Sequence, residues 1–294
     1  MATTGPDRPI LVVENDLVAP VGMLEGWLRE AGAELAICSP ATGEPLPTDL
    51  SSYSALVVLG GGMNAYQDEV APWLPALRAL LAEAVRTELP TLGVCLGAQL
   101  LAVATGGRVS AAETPEYGSR LVAKRQAAAA DPLFRELPIT PDVLQWHVDE
   151  VSELPPGAVL LASSPVCEVQ AFRLGRLAWG VQFHIETTPE IVTLWAEQDE
   201  ELLADYDLPA ILDRAVRAHP DIAEVWQPVI AALVALAAEP AGAEPSGAGP
   251  AGAGPRLLPM AGATTTTAAP ITDPAVIRAA LAAELQASRE PSGH

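Results

Sequence analysis

Thr91-Leu92-Gly93-Val94-Cys95-Leu96-Gly97-Ala98-Gln99 is the stretch that decides the fold. A short apolar strand runs into a helix across a turn that carries a cysteine with glycines two residues to either side. That is a nucleophile elbow in cysteine form: the glycines leave room for a strained turn that lifts the side chain out of the sheet. The turn sets Cys95 at the start of a helix, where the dipole and unpaired N–H groups favour the anionic sulfur that attacks carbonyls.

Outward from the elbow, apolar runs alternate with amphipathic stretches, the pattern of a parallel sheet covered by helices on both faces. The expected strands are Pro9 to Val13, Glu34 to Cys38, Ala55 to Leu59 and Thr91 to Val94. Val21 to Ala31 and Trp73 to Glu88 carry apolar residues at helical spacing, with Leu77, Leu80, Leu81 and Val85 on one face. Beyond Thr105 the pieces are shorter and β-like, around Tyr117 to Lys124, Val159 to Ala162, Val169 to Phe172 and Leu177 to His184, which predicts an antiparallel flank. Pro189 opens a helical region expected to break near Pro209 and Pro220. Its acidic run from Glu197 to Asp207 reads as a solvated face. From Glu239 to Pro270 the chain is almost entirely Ala, Gly, Pro and Thr, too poor in apolar surface to offset the entropy of ordering, and a flexible linker is expected. Asp273 and Pro274 then start a short tail helix through Leu285.

Composition narrows the function classes. The 294 residues carry 16 basic and 37 acidic side chains, a net charge of -21 that disfavours nucleic acid and anionic membrane surfaces. The longest apolar stretch, Val229 to Ala238, falls short of the roughly 20 residues a membrane span needs. Met1 to Pro9 lacks the apolar segment of a secretory signal, so a cytoplasmic location is expected. Cys38, Cys95 and Cys167 fit neither a disulfide framework nor a zinc-ligand spacing; no metal and no cofactor is expected, and Cys38 and Cys167 read as buried, inert thiols.

A cysteine nucleophile needs a base. Of His147, His184, His219 and His294, the terminal His294 and His219 in the helical extension are poor candidates; His184 sits in Gly180-Val181-Gln182-Phe183-His184-Ile185-Glu186, a strand-like run in which residues two apart face the same way, so Glu186 can hold the imidazole. Val57-Val58-Leu59-Gly60-Gly61-Gly62-Met63 ends a buried strand in three glycines, whose N–H groups are free to approach a developing oxyanion. A plain tight turn fits the same run.

Taken in order, Gly60-Gly61-Gly62-Met63, Gly93 to Gln99 and Phe183-His184-Ile185-Glu186 resemble the signature blocks of class I glutamine amidotransferases. Glu116-Tyr117-Gly118 and Trp146-His147-Val148-Asp149 are similar to blocks in the glutaminase domain of GMP synthetase and its free-standing relatives. The resemblance covers roughly Pro9 to Trp195. It implies a flavodoxin-like, mostly parallel α/β sheet, which occupies residues 1–195; the helical extension (196–238), the linker (239–270) and the tail helix (271–294) that follow are read from composition and spacing alone. It further implies that Cys95 attacks the glutamine amide, that the N–H groups of Gly62 and Leu96 hold the oxyanion, and that His184, held by Glu186, moves the protons. Gln99, Tyr117, Gly118 and Asp149 match substrate-binding positions, Asp149 facing the α-ammonium group, while His147 reads as structural. Met63 and Ile185 stand where the family usually has proline, which predicts altered loop geometry with the chemistry kept. A small-molecule amide is the expected substrate. No synthetase domain follows in the sequence, so the ammonia acceptor would belong to a separate partner; a stand-alone γ-glutamyl hydrolase using the same triad is the alternative.

Overall fold

The computed structural model describes residues 5–239. The expected linker and tail helix, from residue 240 on, lie outside the described residues. Four short strands come first: β1 (Ile10–Val13), β2 (Leu35–Cys38), β3 (Ala55–Val58) and β4 (Thr91–Val94). Helices α1 (Met23–Glu30), α2 (Leu74–Arg86) and α3 (Leu96–Ala104) connect or follow them. The chain continues through β5 (Arg108–Leu121), β6 (Ala123–Lys124), β7 (Asp142–Glu153), β8 (Val159–Ser163), β9 (Ala171–Leu174), β10 (Ala178–Val181), α4 (Pro189–Gln198) and α5 (Leu208–Ala237).

The main sheet runs β2-β1-β3-β4-β10-β9-β8-β6. Its first five strands are mutually parallel, and β9, β8 and β6 form the expected antiparallel flank. The order 2-1-3-4 followed by a fifth parallel strand is the flavodoxin-like arrangement, whose ligands sit beyond the carboxyl ends of the strands where the strand order reverses. Period-two alternation divides the core. Ile10, Val12, Ala55 and Val57 face α1 and α5, while Leu11, Val13, Leu56 and Val58 face α2 and α3. Both faces are covered, which is why these strands read as unbroken apolar runs.

Three features depart from the sequence reading. First, β7 lies where the sequence pattern predicts no strand. It pairs with β5 in a separate two-stranded antiparallel ribbon that carries Glu116, Tyr117, Gly118, His147 and Asp149. Secondly, Pro220 breaks nothing: α5 continues through Pro220 and Pro228 for 30 residues, with Pro209 in its first turn. An interior proline costs about 3 kcal/mol, but Ile222, Trp226, Ile230 and Leu233 are buried on one stripe of α5 against the sheet, and burial of each such side chain contributes roughly 1.5–3 kcal/mol. Thirdly, the 195/196 boundary falls inside α4, and α5 shares its core with β1, β3 and α1. Among the described residues α5 alone is long and apolar enough to cross a membrane, with a mean hydropathy of 1.3; its apolar stripe packs on the sheet instead. Within the acidic run, Asp207 caps α5 by accepting from the Ala210 N–H at 3.1 Å, and Asp199 accepts from the Trp146 indole at 2.7 Å. The remaining acids of that run are exposed.

Candidate active site

Cys95 sits between β4 and α3 with φ 50°, ψ -106°, a left-handed conformation that costs a non-glycine residue of order 1–3 kcal/mol. Packing over-determines it. A Cβ on Gly97 would lie 2.0 Å from the Val58 carbonyl oxygen, so only glycine lets α3 settle on β3 at the turn. The Cys95 N–H donates to the Val181 carbonyl at 2.8 Å, which ties the elbow to β10.

β10 leads to His184, the expected base. His184 lies three residues beyond the strand, where its backbone exchanges hydrogen bonds with Leu144 of β7 (2.7 and 3.2 Å). Its Nδ1 is 2.6 Å from Glu186 Oε1, and Glu186 Oε2 accepts from the Ile185 N–H at 2.9 Å. With Nδ1 committed to Glu186, Nε2 is the nitrogen left for Cys95. Burial works against a charge on His184, but the Glu186 carboxylate and the Cys95 sulfur outweigh it and raise its pKa to about 10. Trp195 flanks the ring edge-on at 4.7 Å between centroids. A Cβ on Gly60 would come within 3.0 Å of His184 Cε1 and 3.8 Å of Cys95 Cβ, so the glycine run passes directly under the pair.

The other expected residues fall into place less uniformly. As first residue of α3, Leu96 keeps its N–H outside the helix's own hydrogen bonds, next to the nucleophile. Gly62 is different: its N–H donates to Asp16 Oδ2 at 3.1 Å, and Asp16 is only 2% exposed. The Gly62 donor is therefore held by a carboxylate from the β1–α1 loop. Gln99 is buried, and its Nε2 donates both to the Asp149 carbonyl (3.0 Å) and to Gln182 Oε1 (3.2 Å). Gln182 Nε2 in turn points at Cys95 Sγ, 3.7 Å away. Gln99 thus steers the nucleophile's neighbour, where the resemblance implies a substrate contact. Gly118, with φ 83°, leaves room for Ile211 of α5, 3.0 Å from where a Cβ would stand; backbone geometry and packing account for it. Tyr117 is buried in an aromatic cluster with Trp146 and Tyr206 (centroids 5.3 and 5.1 Å). Asp149 is half-buried, which raises its carboxyl pKa against a partial counter-effect of His147. His219 bonds Ala215 O and Thr187, a structural role.

Sequence reasoning missed Asp16, Gln182 and the Trp146 carbonyl, which lies 4.0 Å from Cys95 Sγ. Gln182 was legible in principle, being two residues before His184 on the same strand face. Asp16 was not, because nothing local links it to a loop 46 residues away.

A family model for class I glutamine amidotransferases matches residues 22–194, more than half of the chain. The chain belongs to that family. The glutamine-hydrolyzing GMP synthase of Thermomicrobium roseum is 37% identical over 146 residues, 48% of this chain and 26% of that protein. A subunit of the glutamine-hydrolyzing GMP synthase of Methanococcus vannielii is 40% identical over 106 residues, 36% of this chain and 54% of that subunit. The chain thus spans from about a quarter to about half the length of these curated relatives. A crystal structure of a glutamine amidotransferase from Thermotoga maritima superposes with TM-score 0.69 at 31% identity, covering 79% of this chain and 99% of that one. The two share the α/β fold over that overlap, and Cys95, His184 and Glu186 fall within residues 22–194.

Proposed function

We propose that this amidotransferase hydrolyses the side-chain amide of glutamine through a thioester on Cys95. The observation that carries the reading is the strained Cys95 set beside a His184 whose Nδ1 is held by Glu186 at 2.6 Å. The Cys95 sulfur attacks the carboxamide carbon, and its C=O electrons move onto oxygen beside the Leu96 N–H. The tetrahedral intermediate collapses as His184 gives its proton to the leaving nitrogen, and ammonia departs. His184 then takes a proton from water, which attacks the γ-glutamyl thioester and releases glutamate. Glu186 holds the ring orientation and stabilises the imidazolium throughout. The half-buried Asp149 carboxylate faces the α-ammonium group, as the resemblance implies.

The acceptor of the ammonia is a separate synthetase, in keeping with the GMP synthase subunits among the relatives. Water-consuming release of glutamate by the lone chain is slow, because Asp16 holds the second oxyanion donor. An intracellular setting fits this chemistry. The experiment is release of ammonia and glutamate by the purified chain, with glutamine set beside γ-glutamyl amines and peptides, with and without cell extract. Slow glutamine turnover that extract stimulates is the expected result. Fast turnover of a γ-glutamyl amine by the pure chain, with glutamine ignored and extract without effect, would replace this reading with that of a free γ-glutamyl hydrolase.

A further inference from the structure

On the β5–β7 ribbon, Glu116 stands directly across from His147, and the loop between β8 and β9 brings Cys167 against both. One ligand atom from each lies within 4.8 Å of the other two, and the three residues are 5%, 5% and 1% exposed. The protonation of His147 is constrained. Its Nδ1 is 3.0 Å from the Asp149 carbonyl oxygen, which can only accept, so Nδ1 carries the hydrogen. In the neutral ring Nε2 then presents a lone pair. That atom is buried with no hydrogen-bond partner among the described residues, although Glu116 Oε2 lies 3.3 Å away, off the line a hydrogen bond requires. Two bases facing each other off-axis at that separation have the spacing of two ligands on one metal: zinc at about 2.0–2.2 Å from each, at a tetrahedral angle, sets them roughly 3.4 Å apart.

The surroundings match. A metal-bound histidine characteristically donates its second N–H to a carbonyl or carboxylate, and ligating carboxylates are themselves held by hydrogen bonds. Here the Asp149 carbonyl serves His147. Gln170 Nε2 donates to Glu116 Oε2 at 2.8 Å and is itself positioned by Gln145 at 2.8 Å. The Gln145 Oε1 of the same network also lacks a partner among the described residues, so buried acceptors exceed donors there. We infer that Glu116 Oε2, His147 Nε2 and Cys167 Sγ form a structural site for a divalent transition cation, with zinc the best match to a mixed oxygen, nitrogen and sulfur set. Water would complete the coordination of the three protein ligands. The spacing of the cysteines along the chain gave no sign of such a site because its ligands come from a strand, its cross-strand neighbour and a distant loop. The cation would pin the ribbon that carries Trp146 and Asp149 to the main sheet, and this holds whatever reaction Cys95 performs.

The test uses the full chain, produced without a histidine tag, stripped of metal and reloaded with zinc or cobalt(II). Expected are about one tightly held zinc per chain with release of the thiol proton, a sulfur-to-cobalt charge-transfer band in the near ultraviolet, and a melting temperature that rises with added zinc. The band and the metal should survive Cys95→Ala and disappear in Cys167→Ser, a near-isosteric change whose folding is checked by circular dichroism. Binding below about a tenth of an equivalent in the wild-type chain overturns the proposal without reference to any variant. So does a cobalt band that is lost in Cys95→Ala and kept in Cys167→Ser.

Discussion

Replacing Asp16 by alanine should accelerate glutamine hydrolysis by the isolated chain. The Gly62 N–H donates to the Asp16 carboxylate at 3.1 Å in a buried setting, and a hydrogen bond to a charged group is worth roughly 1.5–3 kcal/mol. If the transition state needs that donor, the bond to Asp16 must break first, and its free energy adds to the barrier. At about 1.4 kcal/mol per tenfold in rate, its removal predicts a rise in kcat of roughly 10- to 150-fold. KM should stay unchanged, since the ground-state amide does not use the donor. Asp16→Asn keeps a neutral acceptor and should fall between the two. The cost is local: the Val18 N–H, 3.4 Å from Asp16 Oδ1, also loses its acceptor, so the melting temperature should drop by a few degrees. The assay is steady-state glutamate release, paired with stimulation by extract, which should shrink as the basal rate rises. An alanine variant that folds yet turns over no faster than wild type refutes the reasoning, and Asp16 is then scaffold.

Cys95→Ala should abolish turnover and leave the fold intact, and a glutamine-derived electrophile should label Cys95 alone by peptide mapping. Burial raises the Cys38 thiol to about 11 and raises Cys167 further, so in the metal-free chain neither is ionised near neutral pH. In Glu186→Gln, His184 loses the carboxylate that opposes its desolvation, so the alkaline limb of the pH–rate profile should move to lower pH; an unmoved limb would assign it to another group. The same pair contributes stability that is complete below the unfolded histidine pKa of about 6.5 and is lost as pH rises through about 10, so the wild-type advantage over Glu186→Gln in melting temperature should fade across that window. Trp226→Ala removes a side chain 1% exposed between Phe134 and Phe183 and should cost about 3–5 kcal/mol by denaturant unfolding, whereas truncation after Glu239 should leave both stability and turnover nearly unchanged.

The parallel half of the fold was legible because its strands are buried on both faces and so carry an unbroken apolar signal, and because the glycine spacing around Cys95 has few other uses. The ribbon was not legible. β7 alternates Val143, Gln145, His147, Asp149 and Val151 on one face, mixing apolar and polar residues where the chain builds a polar network, so the period-two signal vanishes where function is densest. Pro220 misled for a related reason: a local rule about proline met a tertiary stripe from Ile211 to Ala237 strong enough to override it. In the site, the pairing of His184 with Glu186 was legible and the partner of the Gly62 N–H was not. Gly62 looks like an oxyanion donor in any sequence, and only the approach of the β1–α1 loop reveals that its N–H is taken.

The relative placement of Cys95 and His184 is a property of backbone register. β4 and β10 pair in parallel with Val94 opposite Val181, and the Cys95 N–H closes on the Val181 carbonyl. One residue past that pair stands Cys95; three past it stands His184. A slip of one residue would turn every β10 side chain to the other face and carry His184 away from the thiol. Register here is fixed by layers that have no contact with substrate: Leu92, Val94, Trp179 and Val181 lie in the core shared with α1 and α5, and Gly180 leaves room for the Phe172 ring. The chemistry is thus insulated from change at the surface. Asp149, Trp146 and the aromatic cluster ride instead on the β5–β7 ribbon and the α4–α5 turn, which meet the sheet through side-chain networks and the His184–Leu144 bridge. Substitutions there can alter which amide is admitted while the register that aligns Cys95 with His184 stays as it is.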